Sequence, residues 1–323
     1  MPEREAHRVA TRVAETVGRK SLLSVGALTH DHIMRFETLP RGPGKFISSR
    51  SVRIASGMAA SAATAARRQG AEVALWASVG DDALADELIA DISAEGVDCG
   101  SVRRVKGARS ASATILVDGA GERMIAVDYD PKTQADPDRF PFADDRRFDA
   151  ILADVRWPGA AAIALAEARV RGVPGIFDAD VAPKGVLRRL APIASHIIAS
   201  EAVIPILWEG QALTPIAAAQ RLHQETGAFV AFTCGGRGTY WIEEGEPRHS
   251  PAMPIVPVDT LAAGDVFHGS FAVALAERWP LDRAIEFASV AAGIKCLTFG
   301  GRLGAPTRAE TFAAFEAGRS RQI

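Results

Sequence analysis

The chain has 323 residues, of which 48% are hydrophobic and 24% charged, with a formal net charge of -2. That length and composition suit one large globular domain with an appended piece. The near-neutral balance lacks the basic face that nucleic acid requires, and no run of 18 apolar residues is present to span a membrane.

Residues 1–18, MPEREAHRVATRVAETVG, mix charges with small apolar residues and lack the apolar core of a secretory signal. They read as an N-terminal extension, a short amphipathic helix or loose arm, ahead of a domain over 19–323. SLLSVGAL, from Ser21, reads as a first strand. ASAATAARRQG, ending at Gly70, reads as a small-residue helix with a glycine stop. EVALWASVG follows as a strand, and ALADELIADISAEG, with apolar residues three and four apart, as an amphipathic helix. DAILADV (from Asp149), VPGIFDAD (from Val173), SHIIAS (from Ser195) and AFVAFTC (from Ala228) are further strands, mostly separated by helical patterns. AGDVFHGSFAVALAERW and LDRAIEFASVAAGIKCLTFG read as two consecutive helices. This alternation predicts an α/β fold of βαβ units.

Two segments break the rhythm. Residues 31–54 are neither clearly helical nor a core strand, and residues 109–130 read as a hairpin turning at Asp118-Gly119-Ala120-Gly121. Together they predict a small β-sheet lid able to cover a substrate and exclude water. The three cysteines, Cys99, Cys234 and Cys296, are odd in number and far apart. That spacing fits a reducing cytoplasm rather than disulfides or a cysteine zinc site.

The chemistry concentrates in PVDTLAAGDVFHGSFAVAL, Pro257 to Leu275. Small residues Ala262, Ala263 and Gly264 lead into a helix whose first amides lack intrahelical partners, a ready anion site. Asp265 at its entrance is placed to accept a proton from an alcohol while the amides hold a transferring phosphoryl group. The same residues also fit a capped, tightly packed helix start. Asp259, read as an exposed loop acid, has the same ambiguity.

DTLAAGDVF resembles the C-terminal signature of the PfkB (ribokinase-like) carbohydrate kinases, D-T-x-G-A-G-D-x-F, at Asp259, Thr260, Ala263, Gly264, Asp265 and Phe267. Ala262 stands where glycine is usual; an alanine there is compatible with the anion hole if its φ is negative. The resemblance implies a three-layer ribokinase-like fold with a mainly parallel central sheet, ATP and Mg²⁺ as cofactors, and Asp265 as general base. It implies sugar binding by Asp31, after the first strand, and by the glycine segment at Gly57, although Ala60 replaces a common Asn. It implies nucleotide contact at Thr233, Gly235, Gly236 and Gly238 of FTCGGRGTYW, and at Gly301 of the loop with Gly300 and Gly304. In members of this kind that last loop can lend carbonyls to a monovalent cation such as K⁺. The family's N-x-x-E motif is reduced to Ser200 and Glu201, with Val203 for the expected Glu; Glu201, through water, is the candidate for steadying Mg²⁺.

Within the family, ILADVRWPGA, GDVFHG, IKCLTFGGRLGAP and the GPGKF loop resemble sulfofructose kinases. That likeness implies transfer to the 1-hydroxyl of a ketose with an anionic tail, of sulfofructose or fructose-phosphate type. Lys45 and Arg156 would meet the tail, with Trp157 stacking on the Arg156 guanidinium. Asp128 falls near the place of a neutral Asn, where its charge needs Lys132 or an arginine beside it, unless a one-residue slip turns it to the other face. A kinase of neutral sugars, nucleosides or other small alcohols is a second reading, and a non-catalytic binding protein of the same fold a third. The resemblance and the lid edges imply a homodimer without nucleic-acid or membrane partners.

Overall fold

Short β-branched and alanine-rich runs separated by amphipathic stretches can hide their apolar surface only in a sheet covered on both faces. The computed structural model, which describes residues 19–119 and 121–319, has that arrangement; the extension over 1–18 lies outside the described residues. In chain order the elements are β1 (Ser21–Gly26), β2 (Thr29–Arg35), β3 (Arg50–Ser56), α1 (Met58–Arg68), β4 (Glu72–Gly80), α2 (Ala83–Ala94), β5 (Arg103–Val105), β6 (Ser112–Val117) and β7 (Arg123–Asp128). There follow β8 (Ala150–Asp154), α3 (Pro158–Arg171), β9 (Gly175–Ala179), α4 (Lys184–Leu190), β10 (His196–Ser200), α5 (Ile204–Leu207), α6 (Pro215–Thr226), β11 (Phe229–Thr233), β12 (Thr239–Glu243) and β13 (Glu246–Ser250). The chain closes with α7 (Ala263–Ala276), α8 (Leu281–Lys295) and α9 (Arg308–Arg319).

Nine strands form the central sheet in the order β13-β12-β11-β10-β9-β8-β1-β4-β5. Its pairs are parallel from β10–β11 through β4–β5, and antiparallel at β11–β12 and β12–β13. One apolar cluster joins α1, α2, α7 and α8 to one face, and a second joins α3, α4, α5 and α6 to the other. This is the three-layer arrangement expected, with β5, β12 and β13 not anticipated from the sequence. Helix α7 is buried all round from Val266 to Ala276, as a helix apolar on every side must be. It crosses α1 closely because Gly269 has no side chain; a Cβ there would lie 2.2 Å from the Ala62 carbonyl oxygen.

The two segments that broke the rhythm pair as a separate four-stranded sheet, β3-β2-β6-β7. Its inner face carries Ile33, Ile54, Ala113, Ile115 and Val117, packed on Phe299 with Val258 and Leu261 alongside. Those last two residues flank the DT of the signature loop, so the small sheet sits against the segment singled out for chemistry. The hairpin turn reaches the same loop: Thr260 Oγ1 donates to the Gly121 carbonyl (3.3 Å) and accepts from Arg123 (3.0 Å).

Candidate active site

Several candidate residues lie at the carboxyl ends of the parallel strands, where open α/β sheets bind ligands: Arg156 just after β8, Glu201 just after β10 and Thr233 at the end of β11. Asp154, the last residue of β8, organises the centre. Its Oδ2 accepts from the amides of Ala27 (2.8 Å) and Ala59 (3.0 Å), and its Oδ1 from that of Arg156 (2.7 Å). The carboxyl fits there because β1 ends in glycine; a Cβ on Gly26 would lie 2.1 Å from it. Gly57, at φ 100°, is required for packing as well, since a Cβ would come within 2.6 Å of the Ala27 carbonyl oxygen. Sequence reading missed Asp154, whose only signal is an acid closing an otherwise apolar strand.

At the start of α7, Ala262 has φ 63° and ψ 10°. The negative φ on which the alanine-for-glycine exchange was expected to rest is therefore not adopted; the turn needs the left-handed region, and alanine occupies it at a steric cost. The Ala263 amide donates to the Thr260 carbonyl (3.2 Å) and that of Val266 to Ala262 (3.0 Å). The amides of Gly264 and Asp265 stand at the open first turn. Gly264 is exposed, with nothing within 4 Å of where a Cβ would be. The half-buried Asp265 has its carboxyl pushed well above the usual range, first by desolvation and then by Asp178, Asp180 and Asp154; His268 opposes the shift.

Asp259 is fully buried, not the exposed loop acid expected. Its Oδ1 accepts from the Leu261 amide (2.8 Å), and its Oδ2 from those of Gly300 (2.9 Å) and Gly301 (3.1 Å). The buried Lys295 ammonium lies 3.6 Å from the same carboxylate. The Gly301 amide is thus taken by Asp259, and the residue packs beside Ile33, Leu261 and Ile54 under the small sheet.

Asp31 is buried on β2, its Oδ1 accepting from Thr29 Oγ1 (2.8 Å), and burial pushes its carboxyl up. Register places Asp31 in one row with Ile54, Ala113 and Val127, on the inner face of the small sheet. Asp128 shares its row with Ser112 and His30, hence the opposite face, and lies 3.6 Å from Arg109. Asp128 therefore faces away from Asp31, with Arg109 as its neighbouring charge. Lys132 is not its partner; that ammonium donates to the Gly107 carbonyl (3.1 Å). Lys45 is exposed in the loop between β2 and β3. Arg156 pairs with Asp180 (2.9 Å) and donates to the Val181 carbonyl (3.0 Å). Trp157 does not stack on it. Its buried ring lies under Arg103, 4.4 Å from the guanidinium carbon, and its indole donates to Ala135 (3.0 Å).

Thr233 closes β11 beside Ser200 of β10, with its hydroxyl on the Ala199 carbonyl (3.4 Å). Gly235 and Gly236 form a short turn with open space where side chains would be. Gly238, at φ 86°, approaches the β13 backbone so closely that a Cβ would lie 2.1 Å from the Ser250 carbonyl oxygen. Glu201 is ion-paired with Arg237 of this turn. Among the described residues no three His, Cys, Asp or Glu side chains cluster to hold a metal. With Glu201 so engaged, these residues do not form a dedicated Mg²⁺ cage.

The family model for pfkB carbohydrate kinases matches residues 19–308. The chain belongs to the PfkB family of carbohydrate kinases. A Haemophilus influenzae ribokinase is 27% identical over 306 residues, 92% of this chain and 99% of that one. The crystal structure of an Agrobacterium tumefaciens protein, provisionally assigned as a ribokinase, is 41% identical at a TM-score of 0.90, covering 94% of this chain and 100% of that chain. Arabidopsis thaliana ribokinase, solved with ribose and ATP, shares the fold at a TM-score of 0.75 and 20% identity, over 93% of this chain and 99% of that one.

In this PfkB kinase the left-handed Ala262 generates a stability prediction. Ala262→Gly should stabilise the protein by about 0.5–1 kcal/mol, the steric relief less the greater backbone entropy of glycine. Urea unfolding monitored by fluorescence checks it; an unchanged or lower midpoint would show that the alanine is unstrained.

Proposed function

We propose that this kinase transfers the γ-phosphoryl group of ATP to a sugar hydroxyl, with Asp265 as general base. The observation that carries the reading is the half-buried Asp265 carboxylate at the first turn of α7, beside the open amides of Gly264 and Asp265. A phosphoryl group held there by N–H donors gains charge stabilisation without reorganisation, and the carboxylate takes the acceptor's proton as the new O–P bond forms. Burial gives Asp265 a higher proton affinity than an exposed carboxylate, which makes it the stronger base. Asp31 is the reader of sugar hydroxyls from the small-sheet side, and the Thr233, Gly235, Gly236 and Gly238 turn borders the nucleotide. The ATP in the Arabidopsis ribokinase complex supports the choice of donor. Mg²⁺ would enter on the ATP phosphates, keeping several waters.

For the acceptor, the finer reading is a ketose with an anionic tail, of sulfofructose or fructose-phosphate type, met by Arg156 and Lys45. The tail must then displace Asp180 from Arg156. The existing Arg156–Asp180 pair favours the second reading, a neutral sugar, because it leaves that corner without net positive charge. The small sheet serves as a lid. Its edge strand β7 exposes Met124, Ile125 and Val127 beside an unpaired backbone edge, which supports a homodimer closed through this sheet.

Asp265→Asn should lower kcat by roughly 10²–10⁴-fold with KM nearly kept. The parent's kcat should fall on acidification with a midpoint above that of an ordinary exposed carboxylate, because Asp265 works deprotonated and burial raises its carboxyl. ADP release assayed across pH checks both, and unchanged turnover of the variant removes the role. Arg156→Ala, run over neutral and anionic sugars, should raise KM for the anionic ones alone, by about tenfold or more; equal effects on both would leave the neutral-sugar reading standing. Light scattering should give twice the chain mass for the parent and the single mass for Ile125→Glu with Val127→Lys. A monomeric parent would end the dimer reading.

A further inference from the structure

One helical turn beyond the candidate base, His268 is ringed by oxygen. Its Nδ1 lies 2.7 Å from the Gly264 carbonyl oxygen. Its Nε2 lies 3.2 Å from the Ile198 carbonyl oxygen and 3.4 Å from Oδ1 of Asp178. Carbonyl oxygens only accept, so Nδ1 carries a hydrogen. A neutral ring of that tautomer would turn a bare lone pair toward two further oxygens in a place where His268 is 3% and Asp178 5% exposed. A second proton on Nε2, as imidazolium beside carboxylate, satisfies both oxygens; on Asp178, whose hydroxyl then donates to Nε2, it satisfies that contact and leaves the Ile198 carbonyl facing the lone pair. In both forms the pair holds one proton more than a neutral histidine and an ionised aspartate.

We propose that His268 and Asp178 share a proton and act as a positioning pair for Asp265. The idea rests on the reading of Asp265 as base. The Nδ1–H bond pins the Gly264 carbonyl, and with it the first turn of α7 on which the carboxylate and the phosphoryl-holding amides ride. The shared proton keeps the pair uncharged, which removes the push an ionised Asp178 would exert on Asp265 and leaves desolvation as the main cause of the raised carboxyl. The other charges facing the pair are Asp265 itself, Asp154 at the end of β8, and Asp180 after β9, the last offset by Arg156. Burial raises the Asp178 carboxyl and lowers the His268 imidazole, which favours the proton on the carboxyl. Neither side chain carries this role in the DTLAAGDVF signature, and both come from separate parts of the chain.

Nitrogen-15 NMR of the His268 ring in the parent protein, between about pH 6 and 8, tests the proton placement without mutation. Nδ1 should be protonated throughout; a neutral ring protonated on Nε2 alone overturns the proposal. Kinetics with ATP and the acceptor that turns over fastest among the sugars test the consequence. His268→Leu should lower kcat about 10- to 100-fold with KM within about threefold, and His268→Asn, whose amide can still donate to the Gly264 carbonyl, should recover most of the loss. Equal losses in the two variants, or none, would overturn it. Asp178→Asn mimics the neutral pair and should leave the acid midpoint of kcat within about 0.3 unit; a drop of about one unit or more would mean that Asp178 is charged, against the proposal. If His268→Leu fails to fold, the NMR and Asp178→Asn arms decide. Asp265→Asn in the same assay separates the two readings. Activity there defeats the base, whereas its loss beside fully active His268 variants defeats only the positioning pair.

Discussion

The bonds made by the buried Asp259 carboxylate set the geometry on which the rest of the site depends. One oxygen ties the signature loop at Leu261, the other ties the Gly300–Gly301 turn, and Lys295 stands beside it as the compensating charge. A buried carboxylate is tolerated only when its lone pairs are filled and its charge is matched, and both conditions hold here. The cluster sits between the small sheet, which packs on Phe299 and Leu261, and the start of α7. It thereby joins the small sheet, which carries Asp31, to the turn that carries Asp265. Asp259 opens the family signature, and its bonds give that acid a structural role, tying two loops together.

A second constraint is electrostatic. Asp154, Asp178, Asp180 and Asp265 lie close enough to act on one another's charge, with Arg156 and His268 as the neighbouring groups of opposite character. Several carboxyls in low dielectric cannot all ionise at the usual pH, and those of Asp154, Asp178 and Asp265 are pushed up by desolvation. Such a cluster favours the folded protein most at low pH, where the raised groups are protonated in both states. That benefit is lost as pH rises through their folded values. A site arranged in this way trades stability near neutrality for a carboxylate with enhanced proton affinity.

Sequence reading recovered the alternation of strands and helices, the small sheet and the α7 loop, because each is written in contiguous residues. The turn into α7 in particular is written as small residues and an acid within one short stretch. Asp154, Asp178 and His268 were not recognised as a unit, since each arrives on a different strand or helix and becomes a neighbour only through the parallel order of the sheet. The backbone of Ala262 was misjudged because φ follows from how the loop must turn into α7, and residue type alone does not reveal it. The Arg156–Trp157 stack failed for a related reason. Adjacent residues at a strand end point apart, and the ring was free to take Arg103 from across the sheet. The placement of Asp128 turned on the register of β7, which one residue decides.

The small sheet is made of two hairpins, β2–β3 and β6–β7, joined through the parallel β2–β6 pair. Each hairpin is rooted in the main body at both of its ends, and the tip of the second rests on Thr260. A panel held by several roots can rock but cannot swing free on one. The Thr260 contact ties the hairpin tip to the loop that leads into α7, so the position of the panel and that of the turn are mechanically linked. If Asp265 and the first turn of α7 act as proposed, a ligand that shifts this panel would be felt at the loop leading into that turn, through the hairpin tip that touches it.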